Sequence, residues 1–188
     1  HTRLTGEWSS DVWSSELTGG EGIGDSAVLT VGGSTTATTD AADKSITLDT
    51  LASTGSVILT TSGTGAATID NTDTALNVQG TVGGSLTLTS GEAIGDSAVL
   101  TVRGSTTATT DEADKSINLD ILASTGSVIL TTSGTGAATI DNTDTALHVQ
   151  GTLGGRLYLL NREALVYSPV LHLHCRVECK QAGWRGPR

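Results

Sequence analysis

Phenylalanine and methionine are missing altogether, and aromatic residues make up 3% of the 188 positions. A compact globular core of this size draws on large side chains to fill its volume. Here the apolar residues are mainly Val, Leu, Ile and Ala among Thr, Ser and Gly, which suits a narrow, layered core. Basic residues are scarce as well: 10 Lys and Arg stand against 20 Asp and Glu, for a formal charge of −10. That balance argues against nucleic acid and anionic membrane as partners, because both demand a basic surface. The deficit is uneven, since six of the 10 basic residues lie from Arg156 onward. No run approaches 18 apolar residues, so no transmembrane helix is expected. The two cysteines, Cys175 and Cys179, both lie near the C-terminus, and a C-x3-C pair without further Cys is a poor zinc signal. No signal peptide is visible and residue 1 is His, so the chain reads as a piece of something longer.

What is present is a repeat. The stretch from Ile23 to Gly83 recurs from Ile94 to Gly154, an offset of 95 − 24 = 71 residues with six differences in 61 positions. A period this long is the mark of a repeat architecture. The chain divides into an N-terminal flank at 1–16, a first repeat at 17–92, a second at 93–163, and a degenerate start of a third repeat with a basic tail at 164–188. Trp8 and Trp13 in the flank suit a cap or a preceding coil. In the tail, Arg156 to Leu171 still carries the pattern at the same offset, although Val166 and Tyr167 replace the turn-like Gly95 and Asp96. After Leu171 the match dissolves, by divergence, a shift of reading frame or a sequencing error.

Within a unit, short alternating runs are separated by Gly, Asp, Ser and Asn: AVLTV at Ala27, SITLD at Ser45, SVILTT at Ser56, ATID at Ala67, ALNV at Ala75 and SLTLT at Ser85. Each is short and rich in β-branched residues, the signature of strands. TTATT at Thr35 is a weaker seventh. Alternation places Leu29, Val31, Ile46, Leu48, Leu76 and Val78 inward, and Thr30, Thr47 and Asn77 outward. The differences between copies fit: Thr47 becomes Asn118 and Asn77 becomes His148 on the outer face, while Gly32 to Arg103 and Ala41 to Glu112 fall at turns. Thr50 to Ile121 is not ordered by this scheme. Copies that abut without a linker favour stacked coils over separate sandwiches. At about 20 residues per coil, each unit holds three or four. The expected fold is all-β, a right-handed parallel β-helix, with coils stacking on the rest of a longer chain.

The phrases VGGSLTLT at Val82 to Thr89, GEAIGDS at Gly91 to Ser97 and AVLTVGG at Ala27 to Gly33 resemble the repeats of filamentous-haemagglutinin-type bacterial exoproteins and surface adhesins. The resemblance spans most of 17–171. It implies a secreted, rod-like β-solenoid exposed at a bacterial cell surface, attaching to host or neighbouring-cell glycans or proteins without catalysis.

Candidate chemistry is sparse. GDSAV at Gly24 and Gly95 has the look of a Gly-Asp-Ser hydrolase signature, but the first copy has no His to activate Ser26, and a tight turn between coils explains these residues of both copies, Ser97 included. Asp70, Asn71 and Asp73, with Asp141, Asn142 and Asp144, offer oxygen ligands for calcium, yet their spacing favours Asx turns at corners. GTGAAT at Gly63 and Gly134 lacks the Lys and helix of a phosphate loop. A β-helix polysaccharide enzyme is the main rival; Lys44, Arg103 and Lys115 are the basic residues of the matched stretches 23–83 and 94–154, and any constellation would be duplicated. Ice binding by Thr ladders would need Thr-x-Thr at a constant coil period on one flat face. No catalytic, cofactor-binding or metal residue is therefore expected, and no cofactor.

Overall fold

The structure, a computed structural model, describes residues 2–4, 14–72, 74–143, 146–161, 165–173 and 177–181, with side chains described between 14 and 160. Trp8, Trp13, Asp73, Asp144 and Cys175 lie outside the described residues. Strands follow one another with short corners. The N-terminal part holds β1 (Thr2–Leu4) and β2 (Ser14–Gly19). The first copy supplies β3 (Ile23–Asp25), β4 (Leu29–Val31), β5 (Ser34–Thr39), β6 (Ile46–Ser53), β7 (Ser56–Thr60), β8 (Ala67–Asn71) and β9 (Leu76–Val82). Between the copies lies β10 (Leu86–Ser90). The second copy supplies β11 (Ile94–Val102), β12 (Thr106–Ala113), β13 (Ile117–Ser124), β14 (Val128–Ser133), β15 (Ala138–Asn142) and β16 (Leu147–Leu153). Beyond it come β17 (Leu157–Asn161), β18 (Leu165–Leu173) and β19 (Val177–Gln181).

All the pairings are parallel and alternate strands fall in alternate sheets. One sheet runs β1-β3-β6-β8-β10-β12-β14-β16-β18, with β4 also on β6; the other runs β2-β5-β7-β9-β11-β13-β15-β17-β19. The chain is thus a parallel β-solenoid of about seven turns with two strands per turn. Paired residues on successive turns are 18 to 23 apart, from Leu76 against Ile94 to Ile94 against Ile117.

This winding settles how the repeat sits in the rod. Seven strands occupy 71 residues if β3 and β4 are counted as one interrupted strand, so one copy makes three and a half turns. Successive copies therefore present each strand on opposite faces. β6 lies in the first sheet, whereas its counterpart β13, 71 residues on, lies in the second. The alternation of burial follows the sequence expectation. Leu29, Val31, Ile46, Leu48, Leu76 and Val78 are buried, as are Ile117, Leu119, Leu147 and Val149, while Thr47, Asn77, Asn118 and His148 are exposed. TTATT forms a full strand, with Ala37 buried and Thr36 and Thr38 facing outward. In the tail, β18 and β19 begin 71 residues after β11 and β12, so the strand register outlasts the sequence match that ends at Leu171. Val166 and Tyr167 lie in β18 rather than in a turn, which agrees with Gly95 and Asp96 lying in β11.

Burying each Val, Leu or Ile contributes about 1.5–3 kcal/mol, and no single coil encloses such a residue by itself. Leu48 needs Ile69 on the next turn, and Ile69 needs Leu88. Corners are tied turn to turn by backbone bonds such as Gly84 N to Gly65 O at 2.8 Å and Gly104 N to Gly84 O at 2.9 Å. Buried polar side chains sit at strand ends. The Asn71 carboxamide accepts from Ser53 N at 2.8 Å and donates to Ser53 O at 3.0 Å, extending the ladder by one side chain, and Asn142 does the same with Ser124. Among the described residues, no buried side-chain nitrogen or oxygen lacks a partner.

Candidate functional site

The surface available for function is the outer face of each sheet, and its character follows from strand register. On the first sheet Thr47, Thr68, Thr87 and Thr107 stand one above another, with Ile129 next; beside them run Asp70, Thr89, Thr109, Thr131 and Thr152. On the second, Thr18, Thr38, Thr60, Thr81 and Thr101 form a five-rung column. Rungs are about 4.8 Å apart. Thr-x-Thr does occur on adjacent rungs, at Thr87/Thr89 and Thr107/Thr109, a regularity hidden in a sequence whose coils vary in length. Asp70 and Ile129 bound that array. Asp70 is held above its ordinary range first by partial burial and then by repulsion from Asp111 and Asp49.

The GDSAV segments are not turns between coils. Both β3 and β4 pair with β6, so Ser26, Ala27 and Val28 bulge from the middle of one face, and β11 carries the same register shift between Asp96 and Leu100. The anchor is the aspartate. Asp25 accepts from Asp49 N at 3.2 Å and Thr50 N at 3.0 Å; Asp96 accepts from Asp120 N at 3.1 Å and Ile121 N at 2.8 Å. Burial raises both carboxyls, Asp96 to about 6, where the facing Asp120 carboxylate adds to the rise and the two amides oppose it. The Thr50 to Ile121 difference also finds its place here. Thr50 Oγ1 donates to Ala27 O at 3.0 Å, whereas Ile121 is exposed beside the second bulge, which itself carries the 56% exposed Val99.

The candidate catalytic groups are scattered. Ser97 Oγ bonds to Gln79 Oε1 at 3.1 Å and to Ser56 Oγ at 3.2 Å. His148 is the single histidine among the described side chains. It lies on β16 of the first sheet, on the opposite face from Ser97. Ser26 shares that face but lies six rungs away, about 29 Å at the usual spacing. Lys44 pairs with Glu21 at 2.7 Å and Lys115 pairs with Glu92.

The oxygen ligands considered for calcium diverge. Asn71 and Asn142 point into the core and are committed to backbone, while Asp70 and Asp141 face outward. At the GTGAAT corners, Asp43 accepts from Thr64 N at 2.7 Å and Thr64 Oγ1 at 2.9 Å, and Asp114 treats Thr135 likewise. A carboxylate thus occupies the donors that a phosphate would use, and those hydrogen bonds hold both carboxyls below their ordinary range. Among the described residues, no three His, Cys, Asp or Glu side chains converge as a metal set. The bulge aspartates were missed from sequence, because Gly-Asp-Ser reads locally as a turn and only the neighbouring strand shows it to be an anchor. No family model matches the chain, and neither a curated protein nor a solved structure matches it.

Proposed function

We propose that the chain is a structural and adhesive segment of a secreted bacterial surface fibre of the filamentous-haemagglutinin type, serving reach, rigidity and display without catalysis. The observation that carries this reading is the unbroken pair of parallel sheets over about seven turns. Each turn is held to the next by backbone hydrogen bonds, so the fold lends itself to extension along one axis and to resisting load. The right-handed winding common to parallel crossovers belongs to the same reading. An acidic, Thr-rich exterior would meet host or neighbouring-cell glycans or proteins. Attachment of the purified chain to cell surfaces and immobilised glycans, run beside a hydrolase screen on polysaccharides, tests it: saturable attachment without turnover is expected, and clear turnover would defeat it.

The Thr-ladder alternative has one observation in its favour, the Thr-x-Thr pairs on two adjacent rungs. Two rungs bounded by Asp70 and Ile129 make a small lattice. Thermal hysteresis at millimolar protein is expected to be absent; its presence would promote this reading over the adhesive one.

A further inference from the structure

Among the strands with described side chains, β17 breaks the near-identity of the units, and its described changes fall on one face. Taken 71 residues back, Arg156, Tyr158 and Leu160 correspond to Ser85, Thr87 and Thr89, whereas the intervening Leu157 and Leu159 correspond to Leu86 and Leu88 unchanged. The inner Leu157 and Leu159 are kept and buried, while the outer positions are exchanged from Ser-Thr-Thr to Arg-Tyr-Leu. Tyr158 is the single aromatic side chain among the described ones, and Leu160 beside it is 40% exposed.

The exchange sits next to the Gly154–Gly155 corner. Gly155 stacks so closely on the turn below that a Cβ there would overlap the Thr135 carbonyl oxygen. Against this corner lies a cleft of about 280 Å³, lined by Thr135, Ala137, Gly154, Gly155, Arg156 and Tyr158. Arg156 Nη1 reaches the Tyr158 hydroxyl at 3.4 Å, so the guanidinium and the phenol stand at the same mouth. On the adjoining rung Thr139 is in register with Tyr158 and the outward Asp141 with Leu160.

A donor group, an aromatic face with an aliphatic neighbour, and an acceptor thus lie in a row. A sugar ring has matching parts: an apolar C–H face and a rim of hydroxyls that both donate and accept. The aromatic ring packs against the C–H face and the guanidinium donates to the hydroxyls, while Asp141, outside the cleft's lining, stands where a neighbouring unit of the sugar chain would pass. The cleft is smaller than the ~300 Å³ at which ligand pockets usually begin, which suits one ring of a chain whose remainder stays in solvent. Asp141, the outward carboxylate on the adjoining rung, opposes a polyanion. We propose that this cleft is a subsite for a neutral pyranose unit of a polysaccharide. It deepens the attachment reading and rests on it for its biological setting.

The test is saturation-transfer NMR and titration of the full chain with maltohexaose, cellohexaose, chitohexaose and, as the charged control, hexagalacturonate. The variants Tyr158→Thr and Arg156→Ser restore the residues of the earlier unit, which are compatible with the same coil; unchanged circular dichroism and melting establish folding. At least one neutral hexasaccharide is expected to bind, with affinity falling about tenfold in Tyr158→Thr, equivalent to ~1.4 kcal/mol. The proposal is overturned if no neutral hexasaccharide binds, if hexagalacturonate is preferred, or if Tyr158→Thr binds as well as the parent. Cell attachment that survives Tyr158→Thr sinks the cleft alone. Hexasaccharide binding without any cell attachment sinks the broader reading alone.

Discussion

Gly80 shows how little room a coil leaves at its tightest point. Its φ is +116°, and a Cβ there would overlap the Leu59 carbonyl oxygen of the turn below. Gly80→Ala combines backbone strain with a clash and should cost about 3 kcal/mol in urea unfolding. Gly20→Ala, with nothing near its Cβ site, should stay within about 0.5 kcal/mol. Asn71 is vulnerable for a different reason. Asn71→Ala would strand the Ser53 amide in the interior, although Ser53 O keeps the Thr74 hydroxyl at 2.7 Å, a loss of about 1–3 kcal/mol, while Asn77→Ala on the outer face should be nearly silent. At Asp96 the variable is protons. Its folded pKa of about 6 lies above the ordinary 3.8, so its contribution favours the folded bulge at low pH and is lost as pH rises through 6. Protection of the Ile121 amide, corrected for intrinsic exchange, should be higher at pH 5 than at pH 7.5 in the parent. Asp96→Asn should flatten that dependence, and an identical dependence in the variant would refute the assignment.

At the scale of the strand, inner and outer positions answer to different physics. Leu88→Ala opens a cavity between Ile69 and Ala108 and should cost about 2–5 kcal/mol. Thr87→Ala, one residue away and outward, removes a ladder neighbour worth about 0.2–1 kcal/mol. Melting of the two variants side by side measures the contrast, and near-equal losses would contradict the inside–outside assignment. This alternation was the legible part of the fold. Leu48, Leu76 and their neighbours carry a period of two that points to buried and solvated sides without reference to anything distant. Even TTATT, polar at four of five positions, forms its strand on the same rule, with Thr35 and Thr39 accommodated at strand ends by hydroxyl bonds to Ser53 and the Lys44 carbonyl. The bulges were not legible, because what makes Asp25 an anchor is the pair of amides at Asp49 and Thr50, 24 and 25 residues on. The outer platform on β17 was half legible. Period two alone sets Arg156, Tyr158 and Leu160 on one outer face, but the cleft depends on Thr135 and Ala137 of the turn below, about 20 residues away.

For the molecule as a whole, the sequence repeat and the structural turn do not divide evenly. Sequence pattern set three or four coils per unit; the strand count makes it three and a half, and that half was invisible because a single chain does not state which of two sheets a strand joins. Spin labels test it. At Thr47→Cys and Thr107→Cys, on one face and three rungs apart, the anchoring backbones are separated by about 14 Å. At Thr47→Cys and Asn118→Cys the labels occupy corresponding positions of the two copies on opposite faces, offset by about 17 Å along the axis and by a further sheet-to-sheet spacing of ~10 Å plus both side chains. A distinctly longer distance for the second pair is expected, and equal distances would rule out the half-turn. The odd strand count also gives copy number a parity. Inserting or deleting a single unit inverts the side from which everything beyond it is seen, whereas changing the number by two restores it. A rod that varies in length by whole repeats would therefore alternate between two orientations of its distal surface, so that recombination between near-identical copies acts as a rotary switch as well as a ruler.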